Sequence, residues 1–548
     1  MNNLHIPLPE RCTFKKTEKA TYVYLTLSVK YSKEKKRTIP NRVLIGKLDE
    51  KGLLIPNHNY IDMFGEEKEL APSPERADFV SVGLHVVISA ICKQLQLDEL
   101  LEGVMEEDGA RMILDLASYM IQSENNVMQY VDDYCYNHAL FSDYCFEDSA
   151  VGKLMDSISI KDIDTFIRSW VQLHVNDGVY ISYDSTNMNT TAGNLELAEY
   201  GYDKDDPDLP QVNLSLAYNQ RDDIPLFYEI YPGSITDHTE CQKMVDRAKY
   251  YGCENVGFIL DRGNFSLDNI HYFNRNKLDY ILMTKGNAKF MQEVIEEYGP
   301  GVSRDTKYYI PEHELFGITV EKDLFHTGKT EYIHIYYDFE RAGRETIDIN
   351  NRFHKMDEAL KERKEKKIQR KEDVKVYEKY YYLKFDDNGY FQSYTRKEKE
   401  IEKLVDHAGY FVIVSSKPMS AEEALNIYRD RDAVEKIFRM DKSYLGNYVF
   451  RVHSTRKPES KMFISFIALV LRNQIYMKTK ALYKSNKTEY TVPRIIRTLE
   501  TMGVTKLSDD KYHLRYQLTS KQKKILKQFD LDGKSYEVFA REQLVKLR

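Results

Sequence analysis

Residues 410–442 read YFVIVSSKPMSAEEALNIYRDRDAVEKIFRMDK. The first seven, 410–416, form an apolar β-type run. From Ala421 to about Lys442 the apolar residues recur at helical spacing, with Ser420 placed as the N-cap. A strand handing over to a long amphipathic helix belongs to an α/β layer, so this stretch sets the fold class. Along the predicted helix, Tyr428, Arg431, Glu435, Arg439 and Lys442 fall at i, i+3, i+7, i+11 and i+14. At about 100° per residue they share one stripe roughly 80° wide. One face thus gathers a single acid and three bases. As an ordinary solvated stripe it would pair Glu435 with Arg439 at i+4, an interaction worth a few tenths of a kcal/mol.

Upstream, strand and helix signals alternate. VYISYD (179–184), QVNLSLAY (211–218) and PLFYEIY (225–231) read as strands that pair as a meander. The helix TECQKMVDRAKYYG, the strand NVGFILD (255–261), a helix around SLDNIHYFNRN and the strand DYILMTK (279–285) follow. This order predicts a mixed α/β sheet. Two of its strands end in an aspartate, Asp184 and Asp261. Such carboxylates can project together into the crevice where open α/β sheets hold ligands, although an Asp after an apolar strand also caps turns. Residues 286–408 break the rhythm with Tyr-rich runs (KYYI, EYIHIYYDF, YEKYYYLKF) around a charged helix, and read as an insertion. Residues 1–72 read as a small β-rich unit whose function is not legible, and 73–175 as a helical unit. Beyond the quoted stretch, KMFISFIALVLRNQIYMKTKAL, TVPRIIRTLETMG and SKQKKILKQF all read as helices.

A chain of 548 residues holds about three or four structural units. With 42% hydrophobic and 30% charged residues, 15 Pro and 25 Gly, it is neither disordered nor collagen-like. The longest apolar run, Met462 to Leu471, falls short of the roughly 20 residues a membrane helix needs, and MNNLHIPLPE has no signal-peptide pattern, which predicts a cytoplasmic protein. Six scattered cysteines without a C-x-x-C pair suggest neither a zinc site nor a disulfide framework. His238 and His453 fit no metal motif and read as hydrogen-bonded structural residues. The net charge of −7 taken alone argues against nucleic acid, but Arg451 to Arg548 carries 22 Lys+Arg against 9 Asp+Glu, a basic tail on an acidic body. Such a tail could track DNA backbone or be only a soluble helical surface.

Tyr428, two residues, Arg431, three residues, Glu435, six residues, Lys442 reproduces the Y-(2)-R-(3)-E-(6)-K signature. It follows an Asp in D-S-T-N and another in D-R-G-N-F. In these motifs the chain resembles the DDE transposases of a large superfamily of bacterial insertion sequences. The loop KDDPDLPQVNLSLAY (204–218) and the stretch YVFRVHSTRKPESKMFISFIALVLR (448–472) extend the likeness over roughly 178 to 475.

The resemblance implies a ribonuclease-H-like mixed-sheet catalytic core over 176–285 and 409–475, interrupted by a β-rich insertion domain at 286–408, with a basic helical region at 476–548. It implies Asp184, Asp261 and Glu435 as catalytic residues and ligands of two Mg²⁺ ions, for which Mn²⁺ can substitute, with Asp184 bridging the pair. Tyr428, Arg431 and Lys442 would contact DNA, and residues 1–175, with the helical unit 73–175 as a candidate DNA-binding part, would recognise the element's ends. The implied activity is metal-dependent cleavage and strand transfer of the element's ends. The implied partners are double-stranded DNA, as terminal inverted repeats and target, and further copies of the chain in a dimer or higher assembly. No membrane is involved, and the protein would be nucleoid-associated when bound. The only Trp, Trp170, precedes the core, so any base-stacking residue would come from the insertion's tyrosines or phenylalanines. Two alternatives stand beside this reading: an inactive or domesticated sequence-specific DNA-binding protein, and a non-transposing nuclease on the same core.

Overall fold

The computed structural model describes the chain except residues 1–6, 18–19, 33–36, 50, 65–77, 177, 193–194, 202–208, 236, 285–288, 327, 367–373, 452–457, 508–511 and 547–548. Four antiparallel strands come first: β1 (Cys12–Lys16), β2 (Thr21–Ser32), β3 (Arg37–Leu48) and β4 (Leu54–Pro56), paired in that order and followed by α1 (His58–Phe64). Alternating β-branched and aromatic residues in TYVYLTL suit a pleated surface, and Val23, Leu25, Ile45 and Leu54 close a small separate core. At Gly46, with φ +154°, β3 approaches β4 so nearly that a Cβ would lie 2.1 Å from the Ile55 carbonyl oxygen, and only glycine fits.

The short strand β5 (Phe79–Ser81) then leads into α2 (Gly83–Leu95), α3 (Leu97–Glu102), α4 (Glu107–Ser123), α5 (Val131–Asn137), α6 (Asp148–Ser157) and α7 (Ile160–His174). A capping box of Ser159 and Asp162 starts α7, whose buried residues Ile163, Phe166, Ile167, Trp170 and Val171 follow helical spacing. The Trp170 indole donates to the Pro225 carbonyl oxygen at 2.9 Å, tying these helices to the sheet that follows.

That sheet starts with the antiparallel meander β6 (Tyr180–Asn189), β7 (Gln211–Asn219) and β8 (Ile224–Pro232). After α8 (Asp237–Tyr250), β9 (Gly257–Leu260) lies parallel to β6. After α9 (Leu267–Arg275), β10 (Asp279–Met283) lies parallel to β9. The chain continues through α10 (Lys289–Tyr298), β11 (Tyr309–Ile310), β12 (Leu315–Lys322), β13 (Glu331–Tyr337), α11 (Phe339–Glu365), α12 (Lys375–Glu378), the hairpin β14 (Tyr381–Phe385) and β15 (Phe391–Arg396), α13 (Glu398–Asp406) and β16 (Tyr410–Ser415). Antiparallel to both neighbours, β16 sits between β10 and β13 and completes a nine-stranded mixed sheet ordered β11-β12-β13-β16-β10-β9-β6-β7-β8. The stretch 286–408 therefore contributes in two ways. Its strands β11 to β13 widen the central sheet, while the described residues of 339–406 gather around a separate core that includes Phe353, Leu360, Tyr381 and Phe391.

The central strands are apolar in both registers because both faces are covered. Phe258, Leu260, Leu282, Val412 and Val414 join the main core, whereas Ile259, Ile281 and Ile413 face a second cluster under α14 (Ala421–Arg429). After α14 comes α15 (Asp432–Tyr444). The single helix expected over 421–442 is thus two. Between them the hydrogen bonds tighten to i→i+3, from Arg431 N–H to Tyr428 O (3.2 Å), Ala433 N–H to Asp430 O (3.0 Å) and Val434 N–H to Arg431 O (2.9 Å). The reason lies in packing: α14 rests on β10, β12, β13 and β16, while α15 turns away to β6.

The remainder comprises α16 (Pro458–Ser485), α17 (Val492–Glu500), β17 (Gly503–Lys506), β18 (Tyr512–Leu514), α18 (Ser520–Lys527) and α19 (Gly533–Lys546). The C-terminal segment is no free tail. Buried along 460–473, α16 packs against α2, α4, α7 and β8, and β17 pairs with β5 as well as β18. The strands β17 and β18 correct the all-helical expectation; the pairing of β17 with residues 79–81 has no local signal. Of the segment's cations, Lys461 and Arg472 are buried. A polar network locks this end to the helical unit. The Asn126 amide donates to Asn447 Oδ1 (2.8 Å), Asn447 donates to Asp441 Oδ1 (2.6 Å), and Lys461 Nζ donates to the Asn126 carbonyl oxygen (2.7 Å). Among the described residues no helix is long and apolar enough to cross a membrane.

Candidate active site

Asp184 lies in mid-strand, not at a strand end as expected, because D-S-T-N-M-N goes on pairing with β7, Asp184 opposite Leu216. Its pairing with β9 does stop just before it. The parallel register sets Tyr180 opposite Gly257 and Ser182 opposite Ile259, an offset of 77 residues, and 77 is also the separation of Asp184 and Asp261. The two aspartates therefore leave adjacent parallel strands side by side, at the carboxyl edge where open sheets place their ligands.

The bend between α14 and α15 delivers the other groups. Tyr428 stands in the last turn of α14, Arg431 occupies the turn between the helices, and Glu435 stands in the first turn of α15. Arg431 is only 7% exposed, and its guanidinium reaches all three acids. Its Nη1 donates to Asp184 Oδ2 at 3.1 Å, and its Nη2 donates to Glu435 Oε1 at 2.8 Å and lies 3.8 Å from Asp261 Oδ1. Tyr428 Oη donates to Asp261 Oδ1 at 3.3 Å, and its ring centre is 5.7 Å from the guanidinium carbon. The Asp184 Oδ1 accepts the Ser185 N–H at 2.9 Å.

The electrostatics follow from burial. Desolvation pushes the Asp184 carboxyl up to about 6. The Arg431 charge and the Ser185 N–H pull it back down, and the neighbouring Asp261 and Glu435 raise it further. For Arg431, burial opposes its charge, but the Tyr428 phenol and the three carboxylates outweigh that and raise it. Burial likewise raises the Tyr428 phenol far above its ordinary value.

Of the six residues singled out in the sequence, five converge here: Asp184, Asp261, Glu435, Tyr428 and Arg431. Tyr428 and Arg431 are turned toward the carboxylates. Glu435 pairs with Arg431, not with Arg439, which is exposed. Lys442 stands farther along β6, its Nζ 3.5 Å from Asn187 Oδ1, and Asn187 in turn donates to Gln211 Oε1 at 3.1 Å. Asn187 is an addition; it closes D-S-T-N on the strand that carries Asp184. The side chain of His238, His453, and residues 204–208 of the loop matched to the family lie outside the described residues. All six cysteines are free thiols.

Among the described residues no group of three or more His, Cys, Asp or Glu could hold a metal ion as it stands, and the Arg431 guanidinium lies between the three acids. The donor set nonetheless suits a hard divalent cation, because three carboxylates from three separate elements already share one positive charge.

No curated protein matches the chain. Among solved structures, the cryo-EM structure of a piggyBac transposase synaptic complex with hairpin DNA matches at 11% identity and a TM-score of 0.32, covering 65% of this chain and 59%, less than two thirds, of that one. The family model described as the transposase DDE domain matches residues 177–471, more than half of the 548 residues and the whole span from β6 through the site helices. The chain belongs to the transposase DDE domain family.

Proposed function

We propose that this chain is the transposase of a bacterial insertion sequence, which cuts the DNA ends of its element and joins them to a target. One observation carries the reading: Asp184, Asp261 and Glu435, brought from β6, the end of β9 and α15, gather around a single buried cation. The order β8-β7-β6-β9-β10, with a meander followed by two parallel strands, supports a ribonuclease-H-like core.

In this reading Asp184, Asp261 and Glu435 hold divalent ions, Mg²⁺ or Mn²⁺. Such ions supply activation of water or a 3′-hydroxyl and stabilise the leaving oxygen at phosphorus. In their absence Arg431 offsets one of the three negative charges. Once turned from the carboxylates, its planar fork suits two oxygens of a phosphate, which would fix the scissile strand in line. Tyr428, released from Asp261, is a further donor to phosphate. Lys442 serves as a point charge farther along the strand. The partner is duplex DNA, and joining two ends calls for two or more copies of the chain.

The test is a joining assay with the element's own ends and a target plasmid. Mg²⁺-dependent joined products that EDTA abolishes support transposition. Cutting without joining would reduce the activity to that of a nuclease, and binding without cutting to that of a DNA-binding protein.

A further inference from the structure

The distal half of the β2–β3 hairpin stands apart from the small core at its base. Register shifts between Val23 and Tyr24 and between Thr26 and Ser28 interrupt the ladder. Beyond the second shift, the pairs Ser28–Asn41, Val29–Pro40, Lys30–Ile39, Tyr31–Thr38 and Ser32–Arg37 form a two-stranded ribbon. At about 3.4 Å per residue these five pairs extend roughly 17 Å. Their described side chains are exposed apart from the half-buried Pro40, with Val29 at 62% and Tyr31 at 65%, and Leu27 at the second shift is 44% exposed. The pairing sorts them: Ser28, Lys30, Arg37 and Asn41 share one face, and Val29, Tyr31, Thr38 and Pro40 the other.

Charge is concentrated here against the trend of the chain. Residues 27–42, LSVKYSKEKKRTIPNR, contain six Lys or Arg and one Glu, +5 in 16 residues of a protein whose net charge is −7. Lys30, Arg37 and Arg42 are exposed, and none is paired with an acid among the described residues. The core residues of β2 and β3 end at Leu25 and Ile45, short of the ribbon, so the fold does not need these cations.

We propose that this ribbon is a docking arm for duplex DNA. The major groove, about 12 Å wide and 8.5 Å deep, admits a two-stranded ribbon. Lys30, Arg37 and Arg42 meet phosphates on its walls, while Ser28 and Asn41 offer hydroxyl and amide groups to base edges. Charge complementarity selects the occupant: a polyanion with a groove of the ribbon's width. The arm is separate in sequence from the residues at the carboxylate site and would hold DNA independently of cleavage. The inference rests on the reading that the chain acts on DNA.

The experiment uses the full chain in the cleavage-blocked Glu435→Gln background, with a fluorescent random-sequence duplex and anisotropy read across a KCl series. Three proteins are compared: the background alone, a Lys30→Ala/Arg37→Ala/Arg42→Ala variant, and a charge-keeping Lys30→Arg/Arg37→Lys/Arg42→Lys variant. The alanine variant is expected to bind more weakly, with a slope of log affinity against log salt shallower by roughly 2.7, about 0.9 for each lost phosphate contact. The charge-keeping variant should retain most of the slope. Equal affinity and slope in the background and the alanine variant would overturn the arm while leaving the transposase reading intact. Equal loss in the two variants would also overturn it, since charge would not be the cause. A background protein that binds no duplex would overturn both.

Discussion

Replacing Arg431 by Gln removes the one positive charge shared by three carboxylates while keeping side-chain hydrogen bonding. The three partners do not count equally. The Glu435 and Asp261 side chains are 57% and 36% exposed, so water screens much of their repulsion once the guanidinium is gone. Asp184, at 19%, is the partner left buried and uncompensated. Breaking such a pair from one side costs about 3–5 kcal/mol, and with two screened partners the lower end, about 3 kcal/mol, applies. A divalent cation at a hundredfold excess over its Kd would return about 2.7 kcal/mol, nearly the whole loss. In the wild type the cation must first displace Arg431, so its stabilising effect should be smaller. Urea denaturation of both proteins in EDTA and in MgCl₂ measures this. The variant should have the lower midpoint in EDTA and the larger gain with Mg²⁺. Equal midpoints in EDTA, or equal gains with Mg²⁺, would refute the idea that Arg431 holds the place of a cation.

Further outcomes follow from the same geometry. With a native pKa of about 6 against an ordinary 3.8, Asp184 keeps its proton longer in the folded than in the unfolded chain, so its contribution to stability is lost as pH rises through about 6. Asp184→Asn removes this titration at the cost of one hydrogen bond, about 1 kcal/mol, so denaturation midpoints should place the variant slightly below wild type near pH 4 and above it by about 2 kcal/mol near pH 7. A difference independent of pH would contradict the assignment. Asn126→Ala strips Asn447 Oδ1 of a donor and Arg451 Nη1 of an acceptor inside the network, while Lys461 keeps the backbone carbonyl, and should cost about 1–3 kcal/mol in thermal or urea unfolding; a loss below about 0.5 kcal/mol would mean that the network does not hold the C-terminal segment.

The sequence made much of the site legible because its information was local or periodic. Tyr428, Arg431 and Glu435 lie within eight residues of one another, and the parallel register of β6 and β9 repeats the spacing between Asp184 and Asp261. What it did not disclose depends on partners distant in the chain. Asp430 and Arg431 are compatible with a continuous helix, and the bend there follows from α14 and α15 resting on different strands. The inward turn of Arg431 needs carboxylates from residues 184 and 261, which no helical stripe displays. Likewise EYIHIYY has the same alternation whether it builds a separate unit or, as β13, joins β16 in the central sheet. The positive charge of the C-terminal segment suggested a tail, yet the apolar residues of α16 bury it among the N-terminal helices.

In the proposed function three carboxylates cut DNA together. Its most direct test is cleavage of labelled duplex carrying the element's ends by wild type and by the single variants Asp184→Asn, Asp261→Asn and Glu435→Gln, each first checked for duplex binding. All four proteins should bind and only the wild type should cut, in Mg²⁺ and not in EDTA. Cleavage at the wild-type rate by any one of the three variants would contradict it.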